Sequence, residues 1–296
     1  MVGRERAGRL PGAGAGRKIP RSPRPEKPSE PASAVPPPAL LALVSDLHAN
    51  LEAVDAAWAD LDAAGVPEVL CLGDVIGYGA SPREVIERVR QRCAVCLLGN
   101  HDAALLDDRE ALGFNERALQ AIDFSRRALD PEQESNWPLW DWLGGLVPAM
   151  AVDPGAGGEE ISLVHASPRS PLMEYLLPNA GSRADRLAAN FAAADHRLTF
   201  FGHTHHPGWF AEGDPEFHRA EGDGAELVLE PDRRYLINVG SVGQPRDGDP
   251  RLAFALYDGG TVRWRRLAYD NEAARRRILA AADLPDSLGD RLLAGR

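Results

Sequence analysis

The chain has 296 residues, 44% hydrophobic and 26% charged, with a formal net charge of −11. That length holds one large domain with appendages, and no apolar run approaches the roughly 20 residues that span a bilayer. The acidic balance argues against broad binding to nucleic acid. Three cysteines, Cys71, Cys93 and Cys96, are too few and odd in number for a disulfide framework, so a reducing, cytoplasmic setting is expected.

Residues 1–38 are rich in Pro, Gly and Arg and carry eight Arg or Lys against three Glu, which leaves −16 on residues 39–296. With almost no bulky apolar side chains they cannot offset the entropy of ordering, so a disordered basic tail is expected. It has no apolar h-region and is no secretory signal. An overlong start, a docking tail and a transit-like peptide are the readings it leaves.

From Ala39 strand and helix alternate. The apolar run Ala39–Ser45 predicts a strand. Leu51, Val54, Ala57, Trp58 and Leu61 recur at helical spacing behind Asn50, a predicted N-cap, and give a helix over 51–64. Val69–Leu72 predicts the second strand. Ser81-Pro-Arg-Glu84 has capping-box form, with Pro82 at the first helical position, and opens a helix to about Arg92. Ala94–Leu98 predicts a third strand. This alternation implies a parallel sheet with crossovers. Residues 114–150 read as helical and hold Phe114, Phe124, Trp137, Trp140 and Trp142. Core packing is their expected role, a cover over a site the other. Strands are then predicted over Glu160–Val164, Arg197–Phe201, Trp209–Glu212, Glu226–Leu229, Tyr235–Val239, Leu252–Tyr257 and Val262–Leu267, and one or two helices over 271–293. The switch to consecutive strands predicts an α/β fold with two sheets packed face to face and helices outside.

Five blocks carry the chemistry: Asp46-Leu-His48, Gly73-Asp74, Gly99-Asn100-His101-Asp102, His165 and Gly202-His203-Thr204-His205. Each follows an apolar run, and open α/β sheets place ligands at the carboxyl ends of strands. Carboxylate, imidazole and carboxamide together suit a hard or borderline divalent ion. The donors exceed what one tetrahedral site takes, so two metals are expected. In extended backbone residues i and i+2 point the same way. Asp46 and His48 are therefore expected to reach one ion together, as are His203 and His205. Asn100 and His101, being adjacent, diverge, so one can bind metal while the other faces substrate. A single His is generally a satisfied structural residue, but five of the eight fall inside the blocks; His196, His206 and His218 do not and receive no role.

The sequence resembles the calcineurin-like metallophosphoesterases, whose signature runs DxH, GD, GNH[DE], a distant H and GHxH. All five stand here in order, within a resemblance that covers residues 39 to about 268. The stretches Ser45-Asp-Leu-His-Ala-Asn-Leu-Glu-Ala, Val164-His-Ala-Ser-Pro-Arg169 and Asn238-Val-Gly-Ser-Val-Gly-Gln-Pro-Arg-Asp247 are similar to the compact bacterial branch of YfcE-like or diadenosine-tetraphosphatase-like proteins. The resemblance implies a four-layer αββα sandwich of two mixed sheets, with a two-metal centre at its crest. By motif position Asp46, His48 and His205 would hold one divalent ion, Asn100, His165 and His203 the other, and Asp74 would bridge them. Manganese is the expected metal, with Fe, Zn, Ni or Co as others. A bridging hydroxide would be the nucleophile. His101 would protonate the leaving oxygen or stabilise its developing charge, and Asp102 would orient His101. Arg169 and Arg246 lie near motif segments and are candidates for bidentate phosphate contacts, with surface salt bridges as the alternative. Purple acid phosphatases place a Tyr three residues after the GD aspartate and begin DxG; Gly77 and the DxH block exclude their tyrosinate-bound iron.

The expected activity is hydrolysis of phosphomonoesters or phosphodiesters of small or nucleotide-like substrates. A metal-dependent nuclease ranks second, because residues 39–296 show no basic groove. A metal-binding protein-interaction scaffold of the same fold is the rival of another class, and the intact donors argue against it. A protein phosphatase would need an extended docking groove that the short chain does not show. Neither membrane nor nucleic acid is an expected partner, and the oligomeric state is left open.

Overall fold

A computed structural model describes residues 40–155, 159–180 and 184–296; the expected tail, 1–38, lies outside them. Twelve strands form two six-stranded mixed sheets among the described residues. In the first, β1 (Leu41–Val44) lies parallel to β2 (Glu68–Cys71), which is parallel to β3 (Val95–Cys96). On its other side β1 runs antiparallel to β11 (Leu252–Tyr257), followed by β12 (Thr261–Leu267) and β9 (Glu226–Val228). The second sheet has the order β4 (Ala149–Val152), β5 (Ile161–Val164), β6 (Leu198–Phe201), β10 (Tyr235–Asn238), β7 (Gly208–Ala211), β8 (His218–Arg219), with β5, β6 and β10 parallel.

The unbroken apolar run of β1 has a simple cause: both its faces are covered. Leu41 and Leu43 point one way, into a cluster with Leu70, Leu163, Phe200, Ile237 and Trp264 that joins the two sheets. Ala42 and Val44 point the other way, onto Val54 and Leu61 of α1 (Leu51–Ala63) and Ile86 and Val89 of α2 (Pro82–Arg92). On the far side of the second sheet Phe201, Phe210 and Leu236 pack on Leu187 and Phe191 of α6 (Ala184–Ala193). Each such side chain, fully buried, contributes about 1.5–3 kcal/mol. The layers are helix, sheet, sheet, helix, as the α/β sandwich expectation required. A further apolar cluster gathers α4 (Glu116–Ala128), α7 (Asn271–Ala280) and α8 (Asp286–Ala294) around Tyr78.

Several local expectations change. The third strand is two residues long: the Leu97 amide still bonds the Cys71 carbonyl of β2, but the Leu98 amide turns away to Val147 as the chain heads toward Gly99. Asn50 does cap α1, accepting from the Ala53 amide, whereas Ser81 makes no side-chain cap on α2 and its buried hydroxyl has no hydrogen-bond partner. The 114–150 region is helical through α4 and α5 (Trp137–Gly144) but ends in the edge strand β4, whose mixed exposure weakens its signal. Strand β8 and helix α6 have no counterpart in the sequence reading. Cys71, Cys93 and Cys96 are free, and burial pushes the Cys93 and Cys96 thiols well up, so they act as small apolar groups. Among the described residues no helix is long and apolar enough to cross a membrane.

Candidate metal centre

The five blocks follow β1, β2, β3, β5 and β6, and parallel pairing brings these carboxyl ends to one edge of the two sheets. Backbone hydrogen bonds tie the turns together: Asp46 N to Gly73 O at 3.0 Å, His48 N to Asp74 O at 2.9 Å and Gly202 N to His165 O at 2.9 Å. Packing is tight enough that a Cβ on Gly99 would overlap the Asp74 amide and carboxylate. A Cβ on Gly202 would overlap the Ser45 side chain, which is why glycine stands at both.

The ligand turns are not extended strand. Asp46, His48, Asp74, His203 and His205 have φ of 53°, 47°, 54°, 62° and 59°; among the described residues the other non-glycine residues with positive φ are Ala49 and Tyr78. The alternation argument therefore holds for neither pair: left-handed turns aim the side chains, Asp46 and His48 share a donor group, and His203 and His205 fall in different ones. Such backbone costs on the order of 1–3 kcal/mol per residue and persists where surrounding structure holds it. Asn238 donates to Gly202 O and Thr204 Oγ1, and Ser241 to Asp46 O, so the end of β10 and the loop after it supply part of that support.

Eight buried side chains converge. Asp46, His48 and His205 form one group whose ligand atoms lie within 4.8 Å of one another; Asp74, His165 and His203 form a second; His48, Asp74 and His101 a third. Asp74 stands between them, Oδ1 3.6 Å from His165 Nε2 and Oδ2 3.6 Å from His48 Nε2. Asn100 Oδ1 lies 3.1 Å from His165 Nε2.

The tautomers follow from the backbone. His48 Nδ1 faces Ile76 O at 3.2 Å, His165 Nδ1 faces Leu72 O at 2.8 Å, and His205 Nδ1 faces Gln244 O. A carbonyl only accepts, so each Nδ1 carries the proton and each Nε2 presents a lone pair. Yet the Nε2 atoms of His48 and His205 sit 3.2 Å apart, and His205 Nε2 is 3.2 Å from Asp46 Oδ1. Acceptors facing acceptors at that distance repel unless a cation lies among them. His203 Nε2 is a further buried atom with no hydrogen-bond partner. Burial, with the neighbouring imidazole charges, holds His48 and His203 well below the usual imidazole range, and burial with Asp46 and Asp102 holds Asp74 well above the carboxylate range. A divalent ion reverses that penalty, so the donor set fits one.

His101 is the second residue of α3 (Asn100–Leu106), its ring 5.0 Å from that of His48, 4.4 Å from Tyr78 and 4.8 Å from Phe114. Phe114 is thus the helical-region aromatic that reaches the site. The expected orientation of His101 by Asp102 is not met. The Asp102 carboxylate accepts from the Val75, Ile76 and Gly99 amides, and His101 Nδ1 is without a hydrogen-bond partner. Burial pushes Asp102 up to about 6 against the pull of those amides. Its place is to clamp the Asp74 turn to the start of α3.

The two arginines part company. Arg169 pairs with Glu174, which also accepts from Arg186 at 2.7 Å, Ser167 at 2.6 Å and Asn190 at 3.0 Å, so the ion-pair alternative describes it. Arg246 is held by Gln244 Oε1 at 2.8 Å, has no carboxylate partner among the described residues, and its charge reaches Asp46, Asp74, His48, His101, His203 and His205. Two residues the sequence did not mark also line the centre. The Tyr78 ring lies 4.8 Å from His48, and the Tyr175 ring lies 3.9 Å from His203. The first sits between two glycines of the second block's loop, a signal of unusual backbone; the second has no local signal. His196 and His218 pair with Glu160 and Asp214, outside the blocks as expected.

Residues 40–261 match the calcineurin-like phosphoesterase superfamily domain. An uncharacterized protein of Methanocaldococcus jannaschii is 33% identical over 261 residues, 87% of this chain and 98% of that protein. The crystal structure of a metallophosphoesterase from Sphaerobacter thermophilus is 35% identical with a TM-score of 0.72, covering 87% of this chain and 99% of that one. A hypothetical protein from Pyrococcus horikoshii, 19% identical, shares the fold with a TM-score of 0.66 over 87% of this chain and 98% of its own.

Proposed function

The chain belongs to the calcineurin-like phosphoesterase superfamily, and from that premise we propose that it is a dimetal hydrolase of phosphomonoesters or phosphodiesters of small or nucleotide-like substrates. The observation that carries the reading is the meeting of the unprotonated Nε2 atoms of His48 and His205 at 3.2 Å, beside Asp46. In this reading Asp46, His48 and His205 hold one ion, Asn100, His165 and His203 hold the other, and Asp74 serves both. Divalent ions bound there supply Lewis acidity, acidifying water and clamping phosphoryl oxygens; manganese is the first choice.

The protein's own groups do the rest. Arg246 offers a planar, permanently charged donor to a phosphoryl oxygen. His101 is kept neutral by burial and by the charge of Arg246. An arriving phosphate offsets that charge, so the imidazole can take up a proton and deliver it to the leaving oxygen. Asp102 positions the turn that carries Asp74. The free cysteines, an odd number without a bridge, support a cytoplasmic setting.

The test is a panel of p-nitrophenyl phosphate, bis(p-nitrophenyl) phosphate, cyclic nucleotides and dinucleoside polyphosphates, assayed with Mn, Fe, Zn, Ni and Co in turn. Metal-dependent turnover of any of them is the expected result; none with any metal rejects the reading.

A further inference from the structure

The chain leaves β5 through His165 and enters a segment, 166–180, that supplies none of the proposed ligands. Glu174 pins this segment to its neighbours. Its carboxylate accepts from Ser167 Oγ at 2.6 Å, Arg186 Nε at 2.7 Å and Asn190 Nδ2 at 3.0 Å, and it pairs with Arg169. Leu176 is buried in the apolar cluster of Leu187 and Phe191. Between these two anchors Tyr175 is turned outward and is 42% exposed, with Met173 and Leu177 exposed on either side of it in the chain.

The Tyr175 ring lies on that of His203, with centroids 3.9 Å apart and planes at 34°. Among the described residues no other aromatic ring touches it, and it belongs to none of the four apolar clusters. The charges of Arg246, Asp74 and Asp46 reach its hydroxyl, so that end of the side chain also faces the centre. An aromatic side chain taken into a core buries about 150–250 Å², and half-exposure forgoes much of that stabilisation. The ring is instead held out by its two neighbours, with one face on the imidazole of a proposed ligand and the rest open to water. A phosphoryl group bound at the centre lies next to it. The organic substituent of the ester is then the part of a substrate that an apolar ring there meets. A planar group laid against the ring recovers the exposed area, and ordering a tyrosine costs only two side-chain torsions.

We propose that Tyr175 is a specificity-determining residue that receives a planar aromatic substituent of the ester, a nucleobase or an aryl group, so that such esters are preferred over those of aliphatic alcohols. This role rests on the phosphoesterase reading and narrows it by the organic part of the substrate.

Calorimetry on the full chain, with free Mn²⁺ held constant, gives Kd for methyl-, cyclohexyl- and phenylphosphonate, whose C–P bonds stay intact during the measurement. Phenylphosphonate is expected to bind about five- to tenfold tighter than the other two, the scale of one aromatic stacking contact. Tyr175→Phe should keep that preference. Tyr175→Leu should remove most of it, with both ions still counted by elemental analysis. Val228→Ala, at an exposed apolar side chain on the edge strand β9, should leave it unchanged. Equal Kd values for the phenyl and cyclohexyl compounds, or a preference untouched by Tyr175→Leu, overturns the proposal. Loss of bound metal in Tyr175→Leu makes the ring a support for His203 and overturns it too. So does weaker binding of all three phosphonates alike in Tyr175→Phe, which assigns the hydroxyl to the phosphoryl oxygen. Metal-dependent p-nitrophenyl phosphate turnover with a flat preference rejects the role of Tyr175 alone; a preference that depends on Tyr175, without turnover of any ester, supports that role and rejects the hydrolase reading.

Discussion

His48 and His205 present unprotonated Nε2 atoms to each other across 3.2 Å, while their Nδ1 atoms face the Ile76 and Gln244 carbonyls. Each imidazole is therefore fixed in the tautomer that ligates and placed where, without a cation, it repels its neighbour. Removal of metal should show in stability as well as in activity. Ions present at about 100 times their Kd add roughly 2.7 kcal/mol, which for a chain of this size raises Tm by about 5–10 °C. Differential scanning calorimetry before and after chelation checks this; a Tm unmoved by verified metal loss would contradict it.

Asp74 offers one oxygen toward His48 and the other toward His165. Asp74→Asn keeps the shape and removes the charge, and should lower the occupancy of both ions together with turnover. Elemental analysis of the purified variant decides it, and two retained ions with full activity would refute the bridging role.

His101 packs on Tyr78 and Phe114, and its Nδ1 has no hydrogen-bond partner. His101→Ala should keep both ions and lower kcat by roughly 10²- to 10⁴-fold. The loss should shrink for p-nitrophenolate-like leaving groups, which need little protonation. Loss of a metal equivalent would instead make His101 a ligand, as its grouping with His48 and Asp74 allows.

Glu174 is buried against Arg169, Ser167, Asn190 and Arg186, and Tyr175 follows it onto His203. Burial alone would raise its pKa, but those hydrogen bonds win and hold it at about 2. A depressed carboxylate stabilises the fold above its unfolded value, and the contribution fades as pH falls from about 4.5 toward 2. At most roughly 3 kcal/mol is at stake, reduced because Arg169 is half-exposed. Glu174→Gln should be less stable at pH 7 and show a shallower loss across that acid range in urea titrations; parallel curves would argue against it.

How far the sequence carried depended on range. The convergence of the five blocks was legible because each is a short block behind a strand, and the parallel order of β1, β2, β5 and β6 brings those ends together. Their backbone was not legible, since residues such as His48 and His205 adopt left-handed φ that only contacts between turns sustain. Asp102 was misread because motif adjacency suggested His101, whereas its oxygens reach back to Val75 and Ile76. Tyr175 lies outside the motif stretches and reaches the centre through tertiary packing. Strands β4 and β8 are short edges without a clean apolar period.

The central claim is a two-ion centre built from these seven donors, and metal titration of the fully chelated protein tests it most directly. Mn²⁺ is added back stepwise, with bound metal counted by elemental analysis and turnover of bis(p-nitrophenyl) phosphate measured at each step. The account predicts no turnover in the metal-free protein, saturation at two ions per chain, and activity that rises with the second. Undiminished turnover in protein shown to be free of metal would contradict it.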